Sequence, residues 1–451
     1  MNEIQDSKTL ENPLAKDFNC LSLLAFAFPT MIMMISMGFY TIGDTIIVSR
    51  FVNTNALSAL NIVCPVINII VGIGTMLATG GSAIVARKMG EGETKRAQQD
   101  FTLIVLTCVG IGILIAVSGI LFIDKIIYRL GSNEVLYPYC KDYLFILLLF
   151  TPASMLQVLF QNLIVTAGRP SFGMFLSVSG GLINIILDYI FIVTFGMGIA
   201  GSALGTGIAY MIPTVTGIIF FSLNKGSLRF RIPVSDYKII IESCLNGSSE
   251  MVGQIATAIT TFLFNVTMMK FFGEHGVAAI TIIIYTQFMM TTLYIGFSMG
   301  VAPIISYNYG NDNYIRLQRI LRICLLFISL ASIAIFLFAM FMGTPLVSIF
   351  SPRGTEVYQI AQKGFLIFPF TFLFCGINIF ISATFTALSN GKISAIISFL
   401  RTFVFITLGL LLLPIYFNVI GVWLAVPLAE FATLFLSVGF IWKYSKKYHL
   451  L

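Results

Sequence analysis

Residues 180–206 read GGLINIILDYIFIVTFGMGIAGSALGT, and the rest of the chain is organised around this stretch. The run is almost entirely apolar, yet it carries one carboxylate, Asp188, with Asn184 four residues earlier. On a helix, residues four apart share one face. Glycines on both sides of Met197 interrupt the pattern and predict a tight turn between two apolar helices.

Counting along these two helices gives the depth of the polar groups. Asp188 lies nine residues before Met197 and Thr206 nine residues after it. Both are therefore expected roughly 13 Å from the turn, which is close to the middle of a hydrocarbon layer about 30 Å thick. A charge at that depth is unfavourable by at least a few kcal/mol, so an acid, an amide and a hydroxyl meeting there predict a functional site. A structural hydrogen bond between helices is the alternative interpretation.

Composition places the chain in a membrane. Of its 451 residues, 58% are hydrophobic and only 10% are charged, which is typical of a polytopic membrane protein. The seven cysteines show no metal-binding spacing and are interpreted as small hydrophobic residues. The sequence has no phosphate-binding loop, nucleophile elbow or zinc motif, so it does not indicate an enzyme. The net charge of +7 falls in short loops and does not indicate a nucleic-acid partner.

The predicted fold is all-α, with twelve transmembrane helices. Their predicted ranges are 19–49, 52–84, 98–122, 138–166, 171–195, 199–223, 240–269, 277–307, 319–341, 359–387, 392–413 and 418–442. Six helices in each half predict an N-lobe at 1–223, a cytoplasmic linker at 224–238 and a C-lobe at 239–451. With the N-terminus inside, 18 Lys and Arg residues, among them Lys8 and Lys225, fall on the inner side and 7 on the outer side. By the positive-inside rule, both termini are expected in the cytoplasm.

The two halves resemble each other when one is aligned with the other at a constant offset. The same offset pairs Gly80 with Gly300 and Gly90 with Gly310, among other identities. Because each half has an even number of helices, the lobes are predicted to be parallel repeats related by a pseudo-two-fold axis along the membrane normal. Such repeats are typical of transporters that hold substrate between the halves.

Further polar residues extend the candidate site in the N-lobe. Asp44 lies in the outer half of helix 1, and Tyr40 precedes it by one turn on the same face. Two acids at similar depth, with amide and hydroxyl oxygens near them, suit H⁺ or Na⁺. Gln157 and Gln161 share a face of helix 4, and Gln157 is a candidate for substrate or proton handling, with interhelical hydrogen bonding as the other interpretation.

Four other residues are candidates for separate roles. Glu430 near the middle of helix 12, and Glu250 about eight residues into helix 7, are candidates for substrate or proton handling. Met37 belongs to a methionine-rich run that suits an adaptable apolar pocket or ordinary packing. Pro29 lies inside helix 1 and predicts a kink.

Four stretches of the chain resemble the multidrug and toxic compound extrusion (MATE) transporters, in particular the bacterial DinF-like branch. They are FPTMIMMISMGFYTIGDTIIVSR (28–50), NIILD (184–188), GIAGSALGT (198–206) and PIISYNYG (303–310). The resemblance covers essentially the whole chain. It implies a multi-pass exporter of the plasma or inner membrane that exchanges small organic, often cationic, compounds for inward-moving H⁺ or Na⁺. It also implies a monomer surrounded by lipid, with no cofactor beyond the transported ion.

The resemblance further implies a cation site in the N-lobe. The matching positions are Tyr40, Asp44, Asn184, Asp188 and Thr206, with Gln161 where an Asn is expected. If the ion is Na⁺, its ligands would come from Asp44, Asn184, Asp188 and Thr206. Binding or protonation would alter the bend of helix 1 at Pro29.

Two departures from the family pattern concern the C-lobe. Residues 246–249 read NGSS where a Gly-x-Pro is usual, and helix 10 carries no carboxylate. Coupling is therefore expected in the N-lobe. A flippase for lipid-linked precursors from the same superfamily is one alternative, and an uncoupled channel or receptor is another. Arg401 is the one basic residue well inside a predicted helix.

Overall fold

A computed structural model describes residues 12–224, 226–234 and 236–449, and the regular elements in these ranges are all helical. Lys8 and Lys225, which enter the charge count, lie outside the described residues. The N-terminal half contains α1 (Cys20–Phe51), α2 (Thr54–Gly90), α3 (Thr94–Leu121), α4 (Ile123–Arg129), α5 (Tyr137–Leu149), α6 (Thr151–Thr166), α7 (Pro170–Tyr189) and α8 (Gly198–Leu223). The C-terminal half contains α9 (Tyr237–Gly310), α10 (Tyr314–Phe350), α11 (Glu356–Gly364), α12 (Thr371–Ala387), α13 (Gly391–Phe399) and α14 (Phe405–Tyr448). Short π turns, Ile190–Thr194 and Leu400–Val404, follow α7 and α13.

These elements make twelve membrane crossings within the described residues. Nine helical stretches are long and apolar enough to span a bilayer, and α5 with α6, bent by 54°, adds a tenth. The 74-residue α9 is about 110 Å long at 1.5 Å per residue, far more than one crossing needs. It reverses at Gly273, and α14 reverses at Asn418, since both residues have non-helical torsions with positive φ. The predicted all-α fold with twelve helices is confirmed.

The predicted turn between helices and the predicted helix bends agree with the structure to different degrees. Gly196 and Gly198 both have positive φ, which matches the predicted turn between α7 and α8. The predicted helix 138–166 is not continuous: it breaks at Phe150 into two pieces bent by 54°, next to Pro152, which predicts a kink there. Pro152 lies in the first turn of the second piece, where its missing N–H is tolerated. Pro29 is different, since it lies inside α1 with no interruption of helical torsions.

The two lobes are closed at one end of the bundle and separated at the other. At the end where α1 begins, Gly90 of α2 and Gly310 of α9 face each other so closely that a Cβ on either would collide with the opposite backbone. At the other end, a cavity of about 710 Å³ separates Ile42 and Thr45 of α1 from Tyr285 of α9 and from the end of α10. The membrane-spanning cleft is therefore open at one end only.

A short segment before α1 bridges the lobes at the closed end. Pro13 packs against Gly168 in the turn between α6 and α7, and Leu14 is fully buried. From the C-lobe, the Arg316 side chain donates to the backbone oxygen of Ala15 at 3.1 Å. One stretch of chain thus contacts both halves where they meet.

Candidate functional site

Four helices of the N-lobe direct polar side chains toward one region. Each helix contributes residues spaced three or four apart, which places them on one helical face. They are Tyr40 and Asp44 on α1, Gln157 and Gln161 on α6, Asn184 and Asp188 on α7, and Ser202, Thr206 and Tyr210 on α8. The structure therefore brings together all six residues that were predicted to form the cation site.

Two hydrogen bonds hold the helices together across this region. The Ser202 hydroxyl donates to Oδ1 of Asp44 at 3.0 Å, which links α8 to α1. The Asn184 amide donates to Oγ1 of Thr206 at 3.2 Å, which links α7 to α8. An acid, an amide and hydroxyl groups thus meet on three neighbouring helices.

Asp188 is the most deeply buried member of the group. Its side chain is 0% exposed, and neither carboxyl oxygen meets a hydrogen-bond donor among the described residues. Its electrostatic neighbours are the Asp44 carboxyl group and the Asn184 amide. Gly205 of α8 faces Asp188, and a Cβ on that glycine would enter the carboxyl group. The absence of a side chain at Gly205 therefore makes room for the buried acid.

A small cavity lies one helical turn from the two acids, at the level of Tyr40 and Asn184, and neither acid lines it. It has a volume of about 20 Å³, enough for about one water molecule or a small ion. Its polar lining consists of Tyr40, Gln157, Gln161, Ser177, Asn184, Thr206 and Tyr210. Carboxyl, amide and hydroxyl oxygens are suitable ligands for a hard monovalent cation, and the carboxyl groups also accept protons.

Three residues of this region were not predicted from sequence. Ser202 and Tyr210 lie four residues before and after Thr206, so the i,i+4 rule applied to α8 would have found both. Tyr143 of α5 is buried and has Asp44, Asp188 and Tyr210 as electrostatic neighbours. Nothing in its local sequence indicates that placement, because it depends on the packing of α5 against α8 and α2.

The C-lobe candidates are arranged differently. Glu430 is 4% exposed, and its Oε2 accepts from the Asn378 amide at 2.8 Å. Its Oε1 forms an ion pair with Nη1 of Arg401 at 3.4 Å. Glu250 is exposed, and its electrostatic partner is also Arg401. The sequence indicated the two acids and the basic residue Arg401 inside a helix, but not that the two acids share this arginine.

The remaining candidates lie on α1. Pro29 is buried in the half of α1 that belongs to the closed end of the bundle. Met37 is half-buried, and the next residue, Gly38, leaves no room for a side chain beside Met289 of α9. This part of α1 therefore packs directly against the opposite lobe.

A two-lobed bundle of twelve helices with a cleft between the lobes and two neighbouring acids inside one lobe defines a membrane transporter built from parallel repeats. A model of the MatE family matches the chain twice, over residues 29–190 and 251–411. These matches cover more than half of the sequence, and the chain belongs to the MatE family. The two matches start at positions 29 and 251, in close agreement with the offset that pairs Gly80 with Gly300.

Solved structures share the fold over nearly the whole chain. One described as the outward-facing conformation of a multidrug resistance MATE family transporter of the MOP superfamily superimposes with a TM-score of 0.91 at 20% identity, covering 98% of this chain and 99% of that chain. A MOP superfamily transporter from Pyrococcus furiosus gives a TM-score of 0.90 at 19% identity and covers 98% of both chains. The chain therefore has the twelve-helix, two-lobed MATE fold.

Curated relatives match over most of their length. The multidrug export protein MepA of Staphylococcus haemolyticus (strain JCSC1435) is 24% identical over 363 residues, which are 79% of this chain and 80% of that protein. MepA of Staphylococcus aureus (strain bovine RF122 / ET3-1) is 21% identical over 417 residues, which are 91% of this chain and 90% of that protein. With its twelve crossings, the chain is a multi-pass protein of the plasma membrane.

Proposed function

We propose that this protein is a secondary active exporter of small organic compounds, often cationic, and that inward movement of H⁺ or Na⁺ through the N-lobe drives export. The relatives named as multidrug export proteins support the substrate class. The acid pair of Asp44 and Asp188 supports the coupling. The protein is expected to act as a monomer in the lipid bilayer, without a cofactor or a nucleic-acid partner.

The single observation that carries the proposal is the pair of neighbouring carboxyl groups inside the N-lobe, of which Asp188 is buried and Asp44 half-buried. Two carboxylates side by side in a low-dielectric site repel each other, so the pair needs a bound proton or cation. Asp188 has no other partner that could compensate a charge among the described residues. An ion that binds here neutralises the pair, and an ion that leaves forces the helices that carry the acids to rearrange.

Helix α1 connects this event to the substrate path. Asp44 of α1 is held by Ser202 of α8, while Ile42 and Thr45 of the same helix line the cavity between the lobes. A change in the charge of Asp44 therefore acts on the helix that forms one wall of the cleft. Pro29, which leaves one backbone carbonyl of α1 without its usual partner, is the expected hinge.

The positive-inside distribution of Lys and Arg supports cytoplasmic termini. In that orientation the closed end, where α1 begins, faces the cytoplasm, and the 710 Å³ cavity faces the outside. This arrangement corresponds to the state that releases drug and takes up the driving ion. The inward-facing state would require the glycine contacts at the closed end to separate.

The test is efflux of ethidium from energised membrane vesicles, with the proton and sodium gradients dissipated separately. Asp188→Asn is expected to abolish uphill efflux, and the gradient whose collapse stops the unsubstituted protein identifies the ion. Asp142→Asn is the matched control, since Asp142 is an exposed aspartate of α5 outside the site. Full pumping by Asp188→Asn would disprove the coupling role. Ethidium movement that needs neither gradient would indicate an uncoupled channel instead.

A further inference from the structure

The buried ion pair of the C-lobe holds an acid whose charge is already compensated. Oε2 of Glu430 accepts from the Asn378 side chain at 2.8 Å, and the same amide donates to the Glu430 backbone oxygen at 2.8 Å. Oε1 faces the Arg401 guanidinium at 3.4 Å. Both carboxyl oxygens of Glu430 are thus partnered, whereas both carboxyl oxygens of Asp188 in the N-lobe are not.

The internal repeat relates this ion pair to the N-lobe cavity. The offset that pairs Gly80 with Gly300 relates Arg401 to Gly181 and Glu430 to Tyr210. The family matches end at positions 190 and 411, and that offset relates the same two residues to Gly180 and Ala209. All four of these N-lobe residues line the 20 Å³ cavity. Both offsets therefore place the N-lobe equivalents of Arg401 and Glu430 at this cavity.

The two lobes therefore use equivalent positions in opposite ways. In the N-lobe, Gly180 and Gly181 of α7 leave space for a cavity one helical turn from the acids. In the C-lobe, the equivalent stretch is the π turn Leu400–Val404, which carries a long cationic side chain toward the acid of α14. A π turn is frequently found at functional positions. Arg401 is 18% exposed at its side chain, so most of the guanidinium lies within the lobe.

A guanidinium group does not lose its proton in proteins, and it is tethered to the backbone. Neither H⁺ nor Na⁺ from solution competes effectively with a counter-ion that is always present and already in contact. Glu250, which is exposed, interacts electrostatically with the same guanidinium from another side. The charge of Arg401 is thus shared between one buried acid and one exposed acid.

We propose that Arg401 is a built-in cation of the C-lobe: it occupies the position equivalent to the N-lobe cavity and prevents Glu430 from taking up a transported ion. This inference rests on the proposed function in so far as it assigns coupling to the N-lobe alone. Glu430 then has a positioning role, because it holds the guanidinium in place. The lobes therefore differ in ion uptake because of one side chain, Arg401, whose fixed charge takes the place of a mobile ion.

The test compares Arg401→Ala with the double variant Arg401→Ala/Glu430→Gln. The single variant leaves a buried carboxylate without its partner, so its ethidium efflux is expected to fall at least about tenfold. The double variant removes both charges and is expected to recover most of the efflux. Guanidinium ion at millimolar concentration is expected to restore the single variant by filling the vacated position. It should not affect the double variant, which has no acid to bind it.

Thermal unfolding of the purified protein in detergent gives a second readout that is independent of transport. Guanidinium at the same concentration should raise the Tm of Arg401→Ala but not that of the unsubstituted protein or of the double variant. Efflux and Tm of Arg401→Ala that match the unsubstituted protein, or a double variant no better than the single one, would overturn the inference. If the unsubstituted protein does not pump at all, the proposed function fails, while the guanidinium-dependent Tm still decides the role of Arg401.

Discussion

Gly80 of α2 and Gly247 of α9 lie back to back where the two lobes meet. A Cβ on Gly80 would lie 2.6 Å from the backbone nitrogen of Gly247, and a Cβ on Gly247 would lie 3.0 Å from the backbone nitrogen of Gly80. By the internal repeat, the equivalent contact brings Gly300 against Ala27 of α1, and it is equally close. The closed end of the cleft is therefore sealed by direct contact between helix backbones.

Gly247→Val is expected to separate this contact. Inserting a side chain into a packed interface is unfavourable by about 1–3 kcal/mol, which would shift the population toward the form that is open at this end about fivefold or more. The native thiol of Cys244, half-buried one turn away on α9, should then react faster with a membrane-impermeant maleimide. Cys20 and Cys64, the two exposed cysteines, would be replaced by Ser to remove background labelling.

The control for this prediction is Gly253→Val on the same helix. A Cβ at Gly253 meets nothing within 4 Å, so the substitution should leave Cys244 labelling unchanged. Equal labelling rates in the two valine variants would show that the Gly80–Gly247 contact does not hold the end closed.

The segment before α1 is expected to hold the same end closed. Asp17 forms an ion pair with Arg319 of α10 at 3.2 Å, about one helical turn along α10 from the contact between Ala15 and Arg316. Joining Asp17→Cys to Arg319→Cys with a short reversible disulfide-forming linker should stop efflux, because the segment could no longer leave the C-lobe. Reduction should restore efflux, and the single Asp17→Cys variant should be insensitive to the linker. Undiminished transport by the cross-linked protein would show that this contact persists through the cycle.

Gly205→Ala should disrupt the proposed coupling site without changing its chemistry. The added Cβ would collide with the Asp188 carboxyl group and crowd the backbone of α7, so the two helices must move apart at a cost of about 1–3 kcal/mol. Gradient-driven efflux is expected to fall strongly. Gly110→Ala on α3 is the matched control, because a Cβ there meets nothing within 4 Å. Efflux that is lost equally in both variants would point to a general loss of folding instead.

Ser202→Ala should strengthen ion binding while leaving the acids in place. The Ser202 hydroxyl donates to Asp44 at 3.0 Å and so stabilises the ion-free carboxylate, and losing this donor should favour the ion-bound form by about tenfold. The concentration of driving ion needed for half-maximal efflux should fall accordingly, with little change in the maximal rate. Ser179→Ala is the control, since that hydroxyl donates only within its own helix, to Phe175. An unchanged ion dependence would show that Ser202 is a structural contact.

The helices could largely be predicted from sequence, and their bends in part. Apolar runs long enough to span a bilayer must be helical, because backbone groups in hydrocarbon have no water to bind. Pro152 predicts a bend in the run 138–166, but the sequence did not show that one helix ends at Phe150 and another begins there, because a proline is compatible with a helix start as well as with a kink. The reversals at Gly273 and Asn418 agree with the predicted loops between helices 7 and 8 and between helices 11 and 12.

The candidate site, too, could be predicted from sequence only in part. Residue spacing along one helix determined which side chains share a face, so Asn184 with Asp188 and Tyr40 with Asp44 were found from sequence alone. The partner across the interface depends on how two helices rotate against each other, and the sequence of either helix does not contain that rotation. The hydrogen bond from Ser202 to Asp44 and the contact of Gly205 with Asp188 are such partners, and only the structure shows them.

The sequence by itself therefore determined a membrane-spanning, twice-repeated helical chain with ionisable residues at depth, because hydrocarbon admits only long apolar helices and tolerates few charges. Only the tertiary structure decided how those charges are compensated. In the N-lobe two acids face each other one helical turn from a small cavity, whereas in the C-lobe the acid faces Arg401. The physical reason is that the free energy of a buried charge depends on what lies within a few ångströms of it, and in this protein those neighbours come from other helices.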